Sequence, residues 1–168
     1  MKPINTKKLI AAFKATPKKP VHYQPYGGGA GHICNGCVGA TITDHDAWKD
    51  LLLKLGSEAE KGRIEMIVQE NLADQLLKAA MGTCATALPT GISVDKTERT
   101  SDLFEVDRKI VVLDRKYVAP FEGWTHAYGS APLSPIRFEG FGYTAIVCPV
   151  HPKTVATTIR RLGEMFAV

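Results

Sequence analysis

Lys109 to Val150 reads KIVVLDRKYVAPFEGWTHAYGSAPLSPIRFEGFGYTAIVCPV, and its order of elements decides the fold. Ile110 to Leu113 is a run of mostly branched apolar residues and predicts a strand. Asp114 to Phe121 predicts a short helix or turn, stopped by Pro120 and Gly123. Ile136 to Phe138 and Tyr143 to Val150 predict two closing strands, with the bend between them at Gly140 to Gly142. This order of strand, short helix, turn and paired strands places the chain in the α+β class.

Working outward, the segment before this cassette is the least periodic. Gly82 to Leu103 is rich in Thr, Ser and Gly and reads as a long connection, with one short strand near Ile92 to Val94. Asn71 to Ala80 reads as a helix with Leu72, Leu76 and Leu77 on one face, and Ile64 to Val68 as a strand. Glu58 to Arg63 is polar and reads as a loop. Ala47 to Leu55 has helical spacing at Trp48, Leu51, Leu52 and Leu55, with Gly56 as its stop. His32 to Thr43 predicts one or two short strands broken at Asn35-Gly36, and Val21 to Tyr26 another. Gly27 to Gly31 falls between them as a loop or hairpin tip. Asn5 or Thr6 caps a first helix that runs to about Ala15, with Leu9, Ile10 and Phe13 on one face. After the cassette, Pro152 starts a last helix over 152–168, with Val155, Ile159, Leu162 and Phe166 at near-helical spacing. The whole predicts a single α+β domain, residues 1–168, with antiparallel sheets and helices on one side, and with residues 57–105 as an insertion.

The 168 residues suffice for one well-packed domain. No apolar run approaches the roughly 20 residues of a membrane helix, and Leu9 to Phe13 is too short for a signal core, so the expected location is cytoplasmic and no membrane partner is expected. The formal charge of +4 is mild. Its distribution is more informative: Lys2, Lys7, Lys8, Lys14, Lys18 and Lys19 crowd the first nineteen residues without an acidic residue, and Arg160 and Arg161 sit in the last helix. A solvated, soluble face is the plain alternative.

Of the cysteines, Cys34, Cys37, Cys84 and Cys148, the last lies in an apolar run and reads as a buried small hydrophobe. His32, Cys34 and Cys37 form an H-x-C-x-x-C spacing that can place three ligands on one zinc ion. No matching second pair follows, and two thiols in a β-turn is the simpler reading. Gly27 to Gly31 lacks the helix and Lys-Ser or Lys-Thr pair of a phosphate loop. Asp44, His45 and Asp46 could act in acid–base work, but an aspartate there also caps the Trp48 helix. Cys37 with His126, or Asp44 with a distant histidine, gives a hydrolase alternative that no spacing supports. Arg115-Lys116-Tyr117 and Ile136-Arg137-Phe138 pair cations with aromatic rings, a combination that suits nucleic acid, although Ile136 and Phe138 are expected in the core.

Three segments together resemble the DNA sliding clamps, the processivity rings of replicative polymerases. NTKKLIAAFKAT is similar to the first clamp helix, and Ala40-Thr41-Ile42-Thr43-Asp44 to the strand that closes the first hairpin region. VVLDRKYVAPF resembles a clamp strand and second helix, and PLSPIRFEG with GYTAIVCPV resembles the closing strands. The resemblance touches about half the chain. It implies a clamp-like fold, a non-enzymatic role on DNA or with a replication protein, and contact through Lys7, Lys8, Lys14, Lys18, Arg160 and Arg161. A bacterial clamp subunit carries three such domains, so a single domain forms a ring only as a homo-oligomer. The rival reading is a small zinc-stabilised module built on His32, Cys34 and Cys37.

Overall fold

The computed structural model describes residues 2–96, 99–130 and 133–150. The helix expected over 152–168, with Arg160 and Arg161, lies outside the described residues. Helix α1 (Thr6–Lys14) starts where Asn5 Oδ1 accepts from the Lys8 N–H at 3.0 Å. It buries Leu9, Ile10, Ala12 and Phe13. A meander of β1 (Val21–Tyr26), β2 (Ala30–Cys34) and β3 (Val38–Ile42) follows, then α2 (His45–Glu60), β4 (Met66–Val68) and α3 (Leu72–Met81). The second half is β5 (Ala85–Lys96), β6 (Arg99–Val106), β7 (Lys109–Asp114), α4 (Arg115–Val118) with a 3-10 turn (Ala119–Phe121), β8 (His126–Gly129), β9 (Ile136–Gly140) and β10 (Tyr143–Val147).

The strands make one ten-stranded sheet in the order β4-β1-β2-β3-β10-β9-β8-β5-β6-β7. Pairing is antiparallel throughout except where β4 lies parallel to β1. The last strand, β10, sits between β3 and β9 and so joins the N-terminal meander to the rest. The closing cassette therefore completes one sheet, and the protein is a single α+β domain.

The pleat decides which helix covers which face, because successive side chains alternate. A Cβ on Gly31 of β2 would stand 2.2 Å from the Trp48 ring of α2. One on Gly39 of β3 would stand 2.7 Å from Leu76 of α3. Gly31 pairs with Ile42 and Gly39 with Cys34, so the two glycines point to opposite faces. Helices α1, α2 and α4 gather over the main core, around Phe13, Ile33, Leu51, Phe121 and Phe138. Helix α3 departs from the expected one-sided arrangement: it lies on the other face, seated by Leu72 and Leu76 over the glycine gap.

Four boundaries differ from expectation, each for a physical reason. Gly56 does not stop α2; open space surrounds it, and buried Leu51 and Leu55 hold the helix through to Glu60. The Asn-Gly turn falls one residue later: Asn35 N–H bonds Val38 O at 3.1 Å, so Gly36 and Cys37 form the loop, with Gly36 at φ +87°. The supposed connection from Gly82 is mostly strand. In β5 the ladder breaks between Pro89 and Ser93, where Gly91 has φ +76° and Thr90 Oγ1 donates to Leu103 O at 2.9 Å. That hydroxyl also accepts from the Ile92 N–H, so the bulge keeps its polar groups satisfied. Finally, β8 occupies what read as a turn, pairing with both β9 and β5. Residues 57–105 thus hold the end of α2, β4, α3, β5 and most of β6, with β4 and β5 bonded into the sheet. No helix among the described residues is long and apolar enough to cross a membrane.

Candidate functional site

Burial of the apolar side of α1 turns its lysines outward: Lys7, Lys8 and Lys14 are exposed, as is Lys18 in the turn that follows. Lys8 pairs with Glu122, and Lys14 Nζ lies 3.6 Å from Glu58. Among the described residues Lys7 and Lys18 make no ion pair. Helix α2 packs beside α1. Lys54 Nζ bridges the two, donating to Thr6 Oγ1 at 3.0 Å and Asp50 Oδ2 at 2.7 Å. Thr6 Oγ1 also donates to Asp50 Oδ2, and the bonds to Asp50, from Lys54 first and then from Thr6, hold its carboxyl below the usual range.

The thiols sit at one end of the sheet. Asn35 is buried and organises the turn between them: its Oδ1 accepts from the N–H groups of Cys37 and Val38, both at 3.0 Å. Cys34 lies on the α3 face, beside Leu72 and Gln75. Cys37 packs against the main core and lines a cavity with Tyr117 and Thr16. His32 shares the face of Cys34, with its Nδ1 2.8 Å from Thr41 Oγ1 and its ring 5.0 Å from that of Tyr26. Burial lowers the pKa of His32. Among the described residues no three His, Cys, Asp or Glu side chains stand close enough to hold one metal ion.

Cys148 corrects an expectation: it is exposed, because it follows Val147 past the end of β10 and alternation turns it from the core face. Its N–H donates to Cys37 O at 2.9 Å, and its Sγ to Gly36 O at 3.6 Å. Protein atoms still crowd the sulfur. Burial, then Cys34 and Cys37, raise its pKa against the opposing pull of Lys19. Burial also raises the Cys34 thiol, with Gly36 N–H and Lys19 acting the other way.

A groove of about 410 Å³ runs between α3 and the open part of its sheet face. His32, Thr41, Thr144 and Glu139 floor it, and they belong to one cross-strand row of successive partners that runs from Gln24 to His126 across six strands. Leu76, Leu77 and Ala80 of α3 wall it. Arg137 borders the row but is occupied within the fold. It reaches Glu139 at 3.0 Å and Thr83 O at 3.2 Å, and its guanidinium lies 4.5 Å over the Tyr128 ring. Arg115 is held by Asp102 at 2.7 Å, Tyr117 is buried, and Ile136 and Phe138 are in the core as expected.

The remaining candidates serve the fold. Asp44 Oδ1 accepts from the Ala47 N–H at 3.0 Å and caps α2. His45 Nδ1 lies 3.2 Å from Gly28 O, so the glycine-rich hairpin tip rests on the start of that helix. Gly29, at φ +73°, has no room for a Cβ beside His45. His126 is exposed and its Nδ1 lies 3.0 Å from Thr125 Oγ1. Cys37 lies opposite Cys148, whereas His126 shares the row of Thr144, four residues back along β10 and two strands across. The fold does not bring that pair together. Thr16, Tyr117 and Cys148 join the thiol end only through strand register, which no local sequence signal announces. Compared with known protein families, curated proteins and solved structures, the chain matches none.

Proposed function

We propose that the protein is a non-enzymatic, clamp-like module that associates with the phosphate backbone of DNA, alone or with a replication partner, through α1 and the turn after it. The observation that supports this is the division of α1: Leu9, Ile10 and Phe13 are buried, while Lys7, Lys8 and Lys14 face outward with no acidic residue on the helix. Phosphates attract such a face without reading bases, and each neutralised phosphate releases a counterion. The pairs Lys8–Glu122 and Lys14–Glu58 are partly exposed. Exposed pairs contribute about 1 kcal/mol or less, so a phosphate displaces the carboxylate easily. Arg160 and Arg161 would add to the same charge.

The test is the affinity for duplex DNA by fluorescence anisotropy across a salt series. The parent chain should bind at about 50 mM salt and weaken steeply by about 200 mM. Changing Lys7, Lys8 and Lys14 together to Glu should weaken binding and flatten the salt slope. A parent that fails to bind at low salt, or a triple variant that binds as the parent does, rules the proposal out.

A further inference from the structure

We propose that Cys37 and Cys148 form an oxidisable pair, a modification site at which a hydroperoxide converts two thiols into a cross-strand disulfide. Register carries the argument. Val38 and Val147 are partners, and the next bond of the ladder is Cys148 N–H to Cys37 O at 2.9 Å. The reciprocal bond is not made, because the Cys37 N–H is held by Asn35 Oδ1; in a complete hydrogen-bonded antiparallel pair, opposed residues have Cα atoms about 5.5 Å apart, inside the range of about 4.4–6.8 Å that a disulfide needs. Both side chains line one cavity of about 320 Å³, with Thr16 and Tyr117 beside them. Cys148 is exposed, so a small oxidant reaches it.

Cys34 is the obvious competitor, and the fold disfavours it. Strand β3 separates β2 from β10, so Cys34 and Cys148 stand two strand spacings apart. That is about 10 Å, beyond the reach of a disulfide without backbone movement. Cys34 and Cys148 also line a common cavity beside α3, so strand separation and not facing disfavours this pair. In the reaction, the Cys148 thiolate attacks hydrogen peroxide; the O–O bond breaks, giving Cys148 sulfenic acid and hydroxide, which takes up the proton the thiol had released and becomes water. The Cys37 sulfur then attacks the sulfenic sulfur, forming the S–S bond and releasing a second water. The two thiols lose two electrons and the peroxide gains them.

The experiment treats the full chain with hydrogen peroxide at about pH 9.5, since burial raises the Cys148 thiol, blocks residual thiols and maps peptides by mass spectrometry. The expected result is a Cys37–Cys148 linked peptide, removed by dithiothreitol and retained in the Cys34→Ser variant. In Cys37→Ser, dimedone should trap a sulfenic acid at Cys148. A link from Cys34 to either cysteine as the main product, or survival of all the thiols, overturns the proposal. Mapping the parent chain decides the matter even if a serine variant folds poorly.

Discussion

Asn35 Nδ2 donates a hydrogen bond to Thr16 Oγ1 at 2.9 Å, which fastens the β2–β3 turn to the end of α1. Thr16 in turn donates back to Ala12 O at 3.1 Å. Asn35 is buried and its Oδ1 accepts two further bonds from the turn. Asn35→Ala leaves three partners without a bond. At roughly 1 kcal/mol for each, the loss should be about 3 kcal/mol in urea unfolding. Thr16→Val removes one of the three together with the bond to Ala12 O, and should cost about 1–2 kcal/mol. Equal losses for the two variants would show that the turn does not depend on the Asn35 carbonyl.

Gly39 is the gap into which Leu76 fits, since a Cβ there would stand 2.7 Å from Leu76 Cδ2. Gly39→Val overfills that contact, and overpacking of this kind costs about 1–3 kcal/mol. The damage should be local. Amide exchange should quicken in α3 while α2, on the opposite face, keeps its protection. Uniform quickening of both helices would mean that the sheet itself had been disrupted.

Stability should fall on mild acidification, in part through His32. Burial lowers the pKa of this imidazole below the ordinary value near 6.5. Above that value both folded and unfolded chains carry it neutral. As pH falls through it, the unfolded chain takes up the proton first, so stability is lost until the folded pKa is passed. Around it stand Tyr26, Thr41, and the Asp74, Arg137 and Glu139 of the groove. Between about pH 7.5 and pH 5 the urea midpoint of His32→Gln should decline less than that of the parent chain. Parallel declines would show that the imidazole titrates alike in both states.

Periodic segments with clear stops were legible in the sequence. Helix α1 follows from Asn5 and its Leu9, Ile10 and Phe13 stripe, and β10 from its apolar run. Of β5 only Ile92 to Val94 was legible, because the Thr, Ser and Gly content of the segment carries little periodicity, and the fold places Pro89 and Gly91 at a bulge bridged by Thr90. Strand β8 was hidden because four residues, HAYG, carry too little pattern and are set by pairing on both sides. The outward lysines were visible from helical spacing alone. The meeting of Cys37 with Cys148, and the row from Gln24 to His126, depend on which strands become neighbours. Local propensity does not encode that order.

The β6–β7 hairpin offers a test of backbone strain at a single residue. Val106 pairs with Lys109, so Asp107 and Arg108 form a two-residue turn, with φ of 47° and 63°. Both are in the left-handed region, as a type I′ turn requires. Aspartate tolerates that conformation; for arginine it costs roughly 1 kcal/mol. Glycine adopts it freely but loses more entropy on folding, which offsets part of the gain. Arg108→Gly should therefore raise the urea midpoint by an amount worth about 0.5 kcal/mol with an unchanged slope, and Asp107→Gly should change it less. Arg108→Val should lower it, since a β-branched side chain fits poorly at positive φ. Were Arg108→Gly to destabilise by as much as Arg108→Val, contacts of the Arg108 side chain rather than its backbone would be holding the turn.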